Sequence, residues 1–214
     1  MKKIILISAY LTIGFANNLQ AQFTQVELFT GLDKTDFTLY SSYTLNRGET
    51  LNLTTLAFFQ KFRKEAHKDF DEVGVQPTLF WTINKHIAIG PSIYYNSFSG
   101  YSERFSVKYT LKTSRILFVV MPTVAHSEQK QASYTELFAQ FQINKPINDK
   151  LSLWLNGQFL SVWDEFKTHS RSFQQLRSGV SINDHQFGIG LDFDQYGPNP
   201  IEQTSFGVYY RNTL

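Results

Sequence analysis

Gln186-Phe187-Gly188-Ile189-Gly190-Leu191-Asp192-Phe193-Asp194 places a large apolar side chain at every odd position and a small or polar one at every even position. Side chains two residues apart share one face of a strand, so this stretch predicts a β-strand with an apolar face and a polar face. The same period returns along most of the chain. Phe37, Leu39, Ser41, Tyr43 and Leu45 oppose Thr38, Tyr40, Ser42 and Thr44, and Val73, Val75, Leu79, Trp81 oppose Glu72, Gln76, Thr78, Thr82. Phe105, Val107, Tyr109 and Leu111 oppose Arg104, Ser106, Lys108 and Thr110. Leu137, Ala139, Phe141 and Ile143 oppose Glu136, Gln140, Gln142 and Asn144. Around Ile116-Leu117-Phe118-Val119-Val120-Met121 both faces are apolar, and the alternation does not say which one points where.

The start of the chain sets the compartment. Lys2 and Lys3 precede an apolar run from Ile4 to Phe15, and a polar stretch with small residues ends at Ala21-Gln22. That order is the layout of a secretory signal peptide, so residues 1–21 are expected to be removed and 22–214 to form one domain. Cleavage after Ala16 is the alternative. The apolar run is shorter than the roughly 20 residues a spanning helix requires. The chain has no Cys, which excludes a lipidated N-terminal cysteine, disulfides and thiolate metal sites. Without Lys2 and Lys3 the chain carries 18 basic and 18 acidic residues. Formal neutrality argues against nucleic acid as a partner.

Roughly 190 residues, cut into crossing strands of about 9–11 residues plus turns, allow about twelve strands. Aromatic residues are abundant (20 Phe, 11 Tyr, 3 Trp) and interleaved with polar ones, as in strands that face lipid on one side and a wet lumen on the other. The expected fold is therefore all-β, a transmembrane antiparallel up-and-down barrel of twelve strands with both ends on the periplasmic side. Short turns are expected there at 46–49, 84–85, 112–113, 145–149 and 183–184. Longer outward connections are expected at 60–71, 97–102, 125–132, 163–170 and 195–203, with a short exception at 32–36. A soluble β-sandwich or lipocalin-like barrel is the competing reading.

The last strand, Phe206-x-Val208-x-Tyr210-x-Asn212-x-Leu214, resembles the C-terminal signal of outer-membrane β-barrel proteins of the Gram-negative envelope. It departs from that pattern in ending on Leu214 rather than an aromatic residue. The Ala-Gln signal end resembles those of exported Bacteroidota proteins. The resemblance implies an outer-membrane location, contact with outer-membrane lipid, and recognition of the last strand by the barrel-insertion machinery.

Little in the sequence points to chemistry. Some barrels of this kind are lipid hydrolases with a Ser–His pair two residues apart on one face. Here His126-Ser127 and His169-Ser170 are adjacent, so simple alternation sends the members of each pair to opposite faces. The charged stretch 61–69, with His67, reads as a solvated loop, and an anionic head group or divalent ion is the sharper alternative. Gly188 and Gly190 read as relief of crowding rather than a phosphate site. Neither enzymatic activity, nor a cofactor, nor a metal is expected. The candidate functional residues are charges that alternation turns inward: Arg104, Lys108 and Arg115 on one wall, Asp192, Asp194 and Glu27 on the other. Such a lumen would select small polar solutes by charge. Arg177 stands close enough to Asp192 to neutralise part of that field. The expected function is a narrow channel, and the alternative is a non-conducting barrel within a larger envelope assembly with a protein partner.

Overall fold

The computed structural model describes residues 23–214, the side chains of Ala66 and His67 excepted. The expected signal segment 1–21 lies outside the described residues. Twelve antiparallel strands form one closed ring. In chain order they are β1 (Phe23–Gly31), β2 (Lys34–Thr44), β3 (Leu51–Phe62), β4 (Glu72–Thr82), β5 (Ile87–Asn96), β6 (Gly100–Lys112), β7 (Ile116–Ser127), β8 (Ala132–Pro146), β9 (Leu151–Asp164), β10 (Thr168–Ile182), β11 (His185–Tyr196) and β12 (Ile201–Thr213). A 3₁₀ segment, Glu65–Phe70, lies between β3 and β4. Each strand pairs with its chain neighbour, and β1 pairs with β12 from Gln25↔Thr213 to Gly31↔Gly207. The closure ends in a reciprocal bond between the main chains of Thr24 and Leu214. Closure leaves no unpaired strand edge, the condition for a sheet in hydrocarbon.

The alternation seen in the sequence becomes the two surfaces of the wall. On β4 every second residue from Val73 to Trp81 is exposed, and Glu72, Gly74, Gln76, Thr78 and Phe80 are buried inward. On β12, Phe206, Val208 and Tyr210 point out, and Tyr209 is buried inside. The outer surface is thus an apolar belt, with Leu28, Val107, Phe141, Leu153, Leu176 and Ile189 among the exposed side chains on other strands. A soluble barrel keeps such side chains in its core. Strand β7, ambiguous in the sequence, turns Pro122, Val124 and His126 outward and buries Thr123, Ala125 and Ser127 inside.

Connections differ from expectation at one end. The rim bearing the 3₁₀ segment, here the loop rim, has connections 32–33, 63–71, 97–99, 128–131, 165–167 and 197–200. The terminal rim has 45–50, 83–86, 113–115, 147–150 and 183–184. Only 63–71 is long. The polar residues read as outward loops continue the strands past the apolar belt, because hydrogen-bonded pairing does not require an apolar face. Lys34 and Asp36, read as part of a connection, are therefore the first inward residues of β2.

Inward glycines set how tightly the wall curls. A Cβ on Gly207 would lie 2.2 Å from the carbonyl oxygen of Thr30 on β1. At Gly190 it would lie 2.9 Å from the Phe29 ring and 3.0 Å from the Arg177 side chain. Its absence gives those two side chains their room.

Candidate functional site

The inner wall carries the charges. On the side formed by β1, β2 and β10–β12, Arg177 Nε donates to Glu27 Oε1 at 3.0 Å, and its guanidinium also pairs with Asp192. Arg177 rests over the Phe29 ring, 4.2 Å from its centroid, in the space left by Gly190. Arg211 Nε donates to Glu27 Oε2 at 2.7 Å, and Arg211 Nη2 reaches Asn156 Oδ1 on β9 at 3.3 Å. Lys34, 0% exposed, donates from Nζ to Asp194 at 2.6 Å and lies 3.1 Å from both Asp36 and Asp192. Three cations thus meet four carboxylates in one connected group.

A second group lies toward the loop rim. Arg104 on β6 pairs with Glu136 on β8 and donates to Gln76 Oε1 at 2.5 Å, with its guanidinium 4.4 Å from the Tyr94 ring centroid. Arg171 on β10 pairs with Glu72 on β4 across the lumen. Phe70, from the end of the 3₁₀ segment, stacks on Tyr196 at 4.2 Å, and Gln60 Nε2 donates to Tyr196 Oη at 2.8 Å. Against this constriction lies a cavity of about 350 Å³ lined by Glu72, Tyr94, Tyr134, Glu136, Arg171 and Tyr196 among others. Burial of these charges is tolerable because each faces an opposite charge; an isolated one would cost several kcal/mol, roughly.

Of the candidate residues, Arg104, Lys108, Arg177, Asp192, Asp194 and Glu27 all face the lumen. Arg177 contacts Asp192 as its position suggested. Arg115 requires correction: it precedes β7 in the 113–115 turn and is exposed at the terminal rim, because the strand begins at Ile116. The division into one basic and one acidic wall is met in the structure by local counter-charges that alternation alone did not bring forward. Lys34 stands among the acids, Glu136 beside Arg104, and Arg211 beside Glu27. Lys108 differs from the rest: its Nζ sits 3.9 Å from the Phe80 ring centroid, and it has no ion pair among the described residues. The alternation did carry a signal for Glu72 and Glu136, both on polar faces. It carried none for the pairings: Glu136 meets Arg104 from two strands away, Glu72 meets Arg171 from six, and Arg211 meets Glu27 only because β12 closes on β1.

The adjacent His-Ser pairs divide. His126 is exposed outside and Ser127 buried inside, as alternation requires. The His169 ring contacts Ser172 rather than Ser170, which lines the cavity near Glu72 and Arg171.

No protein-family model matches the chain, and no curated protein sequence matches it. Among solved structures it is similar to the NanC porin, with TM-score 0.55 and 12% identity over 90% of this chain and 99% of that one. It is also similar to the KdgM porin in complex with disordered oligogalacturonate, with TM-score 0.50 and 8% identity over 90% and 99%. LpxR from Salmonella typhimurium gives TM-score 0.49 and 8% identity over 89% and 99%. At these identities the likeness is one of fold: the chain shares the closed antiparallel barrel of outer-membrane proteins.

Proposed function

We propose that this barrel resides in the outer membrane, loop rim outward, and serves as a narrow channel for small polar solutes, constricted at the loop rim. Its apolar outer belt supports the membrane setting. The observation that carries the channel reading is the polarity of the inner wall. Gln76, Thr78, Ser92, Ser106 and Thr123 line one side, and the charged group around Lys34 and Arg177 lines the other. A barrel needing only rigidity gains nothing from buried ion pairs, since apolar side chains of similar volume are often neutral or stabilising in their place. A polar wall suits solutes that must exchange their hydration for hydrogen bonds.

The second reading, a non-conducting barrel that joins an envelope protein partner, is favoured by the filling of the lumen: Ser106, Asp192 and Lys34 are each 0% exposed. Planar-bilayer recording of the purified barrel separates the two. Small discrete conductance steps, with a larger step when Glu72 and Arg171 are both replaced by Gln, fit the channel. Silence in both proteins, each shown to be folded, leaves the accessory reading.

A further inference from the structure

The outer wall carries two cations that no carboxylate holds. On β3, Gln60 and Phe62 are buried inside, so Lys61 between them and Arg63 after them turn outward, and both are exposed. They follow Phe59, an exposed apolar residue of the same face. Neither has an ion pair among the described residues, whereas Lys64 pairs with Asp33 at 2.6 Å and Lys68 with Glu65.

The Arg63 side chain is fixed against the wall. Its Nε donates to the Gly31 carbonyl oxygen at 3.0 Å, and its Nη2 donates to Thr30 Oγ1 at 2.8 Å and to Thr35 Oγ1 at 3.2 Å. Thr35 stands directly opposite Lys61, and Thr30 directly opposite Thr35. The guanidinium therefore lies along a row of outward side chains on β1, β2 and β3, with Lys61 at the end of the row. Residues paired in this way have Cβ atoms about 4.5–5.5 Å apart, within reach of a long side chain. Both threonine hydroxyls accept from Arg63, so their own hydrogens are left for one another, at 3.4 Å, or for a ligand. Of the acids beside the row, Asp33 is paired with Lys64, and Asp71 accepts from the Phe62 N–H at 2.6 Å. What remains facing outward is a set of donors bearing two positive charges.

We propose that Lys61 and Arg63, with Thr30 and Thr35, hold the phosphate monoester of a glycolipid in the outer leaflet. This rests on the reading above that the barrel lies in the outer membrane with its loop rim outward. The depth selects a lipid. Lys61 is two residues beyond Phe59, about 7 Å along the strand, and the head-group layer is roughly 5–8 Å thick on each side of the hydrocarbon. An amphiphile whose acyl chains lie on Leu28, Phe37 and Phe59, exposed on the same three strands, brings its head group to this height. The charge selects a monoester. Such a phosphate carries about −1.5 to −2 at neutral pH and three acceptor oxygens, which match two cations and two hydroxyls. A phosphodiester carries one charge, and an ethanolamine head group adds an ammonium that the patch repels. Arg63 is already oriented, so little side-chain freedom is lost on binding.

The test uses the full barrel, refolded in micelles and checked by heat-modifiable migration. Native mass spectrometry measures what the folded barrel retains when offered lipid A, its dephosphorylated form, phosphatidylethanolamine or inorganic phosphate. One bound lipid A is expected, with neither of the other lipids retained at the same concentration. Lys61→Gln and Arg63→Gln should each weaken retention about fivefold, and together about 25-fold. Lys167→Gln, exposed on the β9–β10 connection of the same rim, should change nothing. Equal retention of dephosphorylated lipid or of phosphatidylethanolamine overturns the assignment, and so does displacement of lipid A by inorganic phosphate at equal concentration. Unchanged retention in the double variant, or a loss in Lys167→Gln as large as in Arg63→Gln, overturns it too, since binding would then follow diffuse surface charge. Labelling of Glu65→Cys by an impermeant maleimide on intact cells reports separately that the loop rim faces outward. An inverted barrel and an empty site are thereby told apart, and conductance is independent of both.

Discussion

Glu72 and Arg171 meet across the full width of the barrel: β4 and β10 stand six places apart in either direction around the ring, and the two side chains pair between them. Neighbouring strands hold each other through main-chain bonds, but only side chains can span a lumen. This pair is therefore a strut as well as a neutralised charge. Its setting fixes both partners, since Tyr94 Oη donates to the other carboxylate oxygen of Glu72 at 3.3 Å and the Arg171 guanidinium lies 5.4 Å from the Tyr196 ring centroid. The Phe70–Tyr196 stack ties the 63–71 connection to the same place.

Removing one end of the strut should hurt more than removing both. Arg171→Ala leaves Glu72 inside with no cation and should cost about 3–5 kcal/mol, the usual penalty for an orphaned buried charge. Glu72→Gln with Arg171→Gln keeps volume and hydrogen-bonding capacity and should cost clearly less. Urea titration of the folded, slow-migrating band would show this. A double variant no more stable than Arg171→Ala would mean that the pair acts through something other than charge balance.

Lys34 should prove the most sensitive charge in the lumen. It sits between three carboxylates, and Lys34→Met strands Asp36 and Asp194 and leaves Asp192 with Arg177 alone. The expected loss is again about 3–5 kcal/mol. Asp194→Asn should be milder, because Lys34 keeps Asp36 and Asp192. Equal stability losses in the two variants would remove Lys34 from the centre of the group.

Much of this architecture was legible in the sequence, because a wall with lipid on one side and polar groups on the other stamps a period of two on every strand. The facing of Val208, Tyr210, Asp192 and Arg104 followed from parity alone. The connections did not, since parity in a polar segment such as 168–172 has no apolar face to announce a strand. The same blindness hid Lys34, placed in a turn by composition. Ion-pair partners were illegible for a different reason: Arg104 finds Glu136 two strands away, and sequence spacing says nothing about side-chain reach across a lumen. The bulge at Ser170, where the register of β10 against β9 shifts, inverts parity for His169 with no residue type to signal it.

The last strand offers a test of facing. Val208 points into the lipid belt, so Val208→Arg should cost about 2–4 kcal/mol near the midplane, and Val208→Leu should be close to neutral. Gly207→Ser, one residue along and facing inward, should also reduce assembly, but through the contact its Cβ would make 2.2 Å from the Thr30 carbonyl. Folding yield into vesicles measures all three. Full yield for Val208→Arg would contradict the outward facing of this strand.

Lys108 is the lumen charge best placed to act on a passing ion. The charges of the Lys34 and Arg104 groups are held in ion pairs, and their fields cancel at a distance but for the one carboxylate by which the Lys34 group exceeds its cations. Lys108 stands apart on β6 toward the terminal rim, half-buried against Phe80, without a carboxylate partner among the described residues. A single uncompensated cation in a narrow tube raises the barrier to other cations, because the low-dielectric wall focuses its field along the axis. Lys108→Glu should therefore shift the reversal potential under a salt gradient toward cation selectivity, and Lys108→Met should give an intermediate value. Asp192→Asn should mainly destabilise the barrel, since its loss unbalances Lys34 and Arg177 rather than exposing a charge to the pore. The measurement can be made in the wild-type background, or in the Glu72→Gln, Arg171→Gln background if that alone conducts. A reversal potential that is the same for Lys, Met and Glu at position 108 in a conducting barrel would show that Lys108 does not face the permeation path.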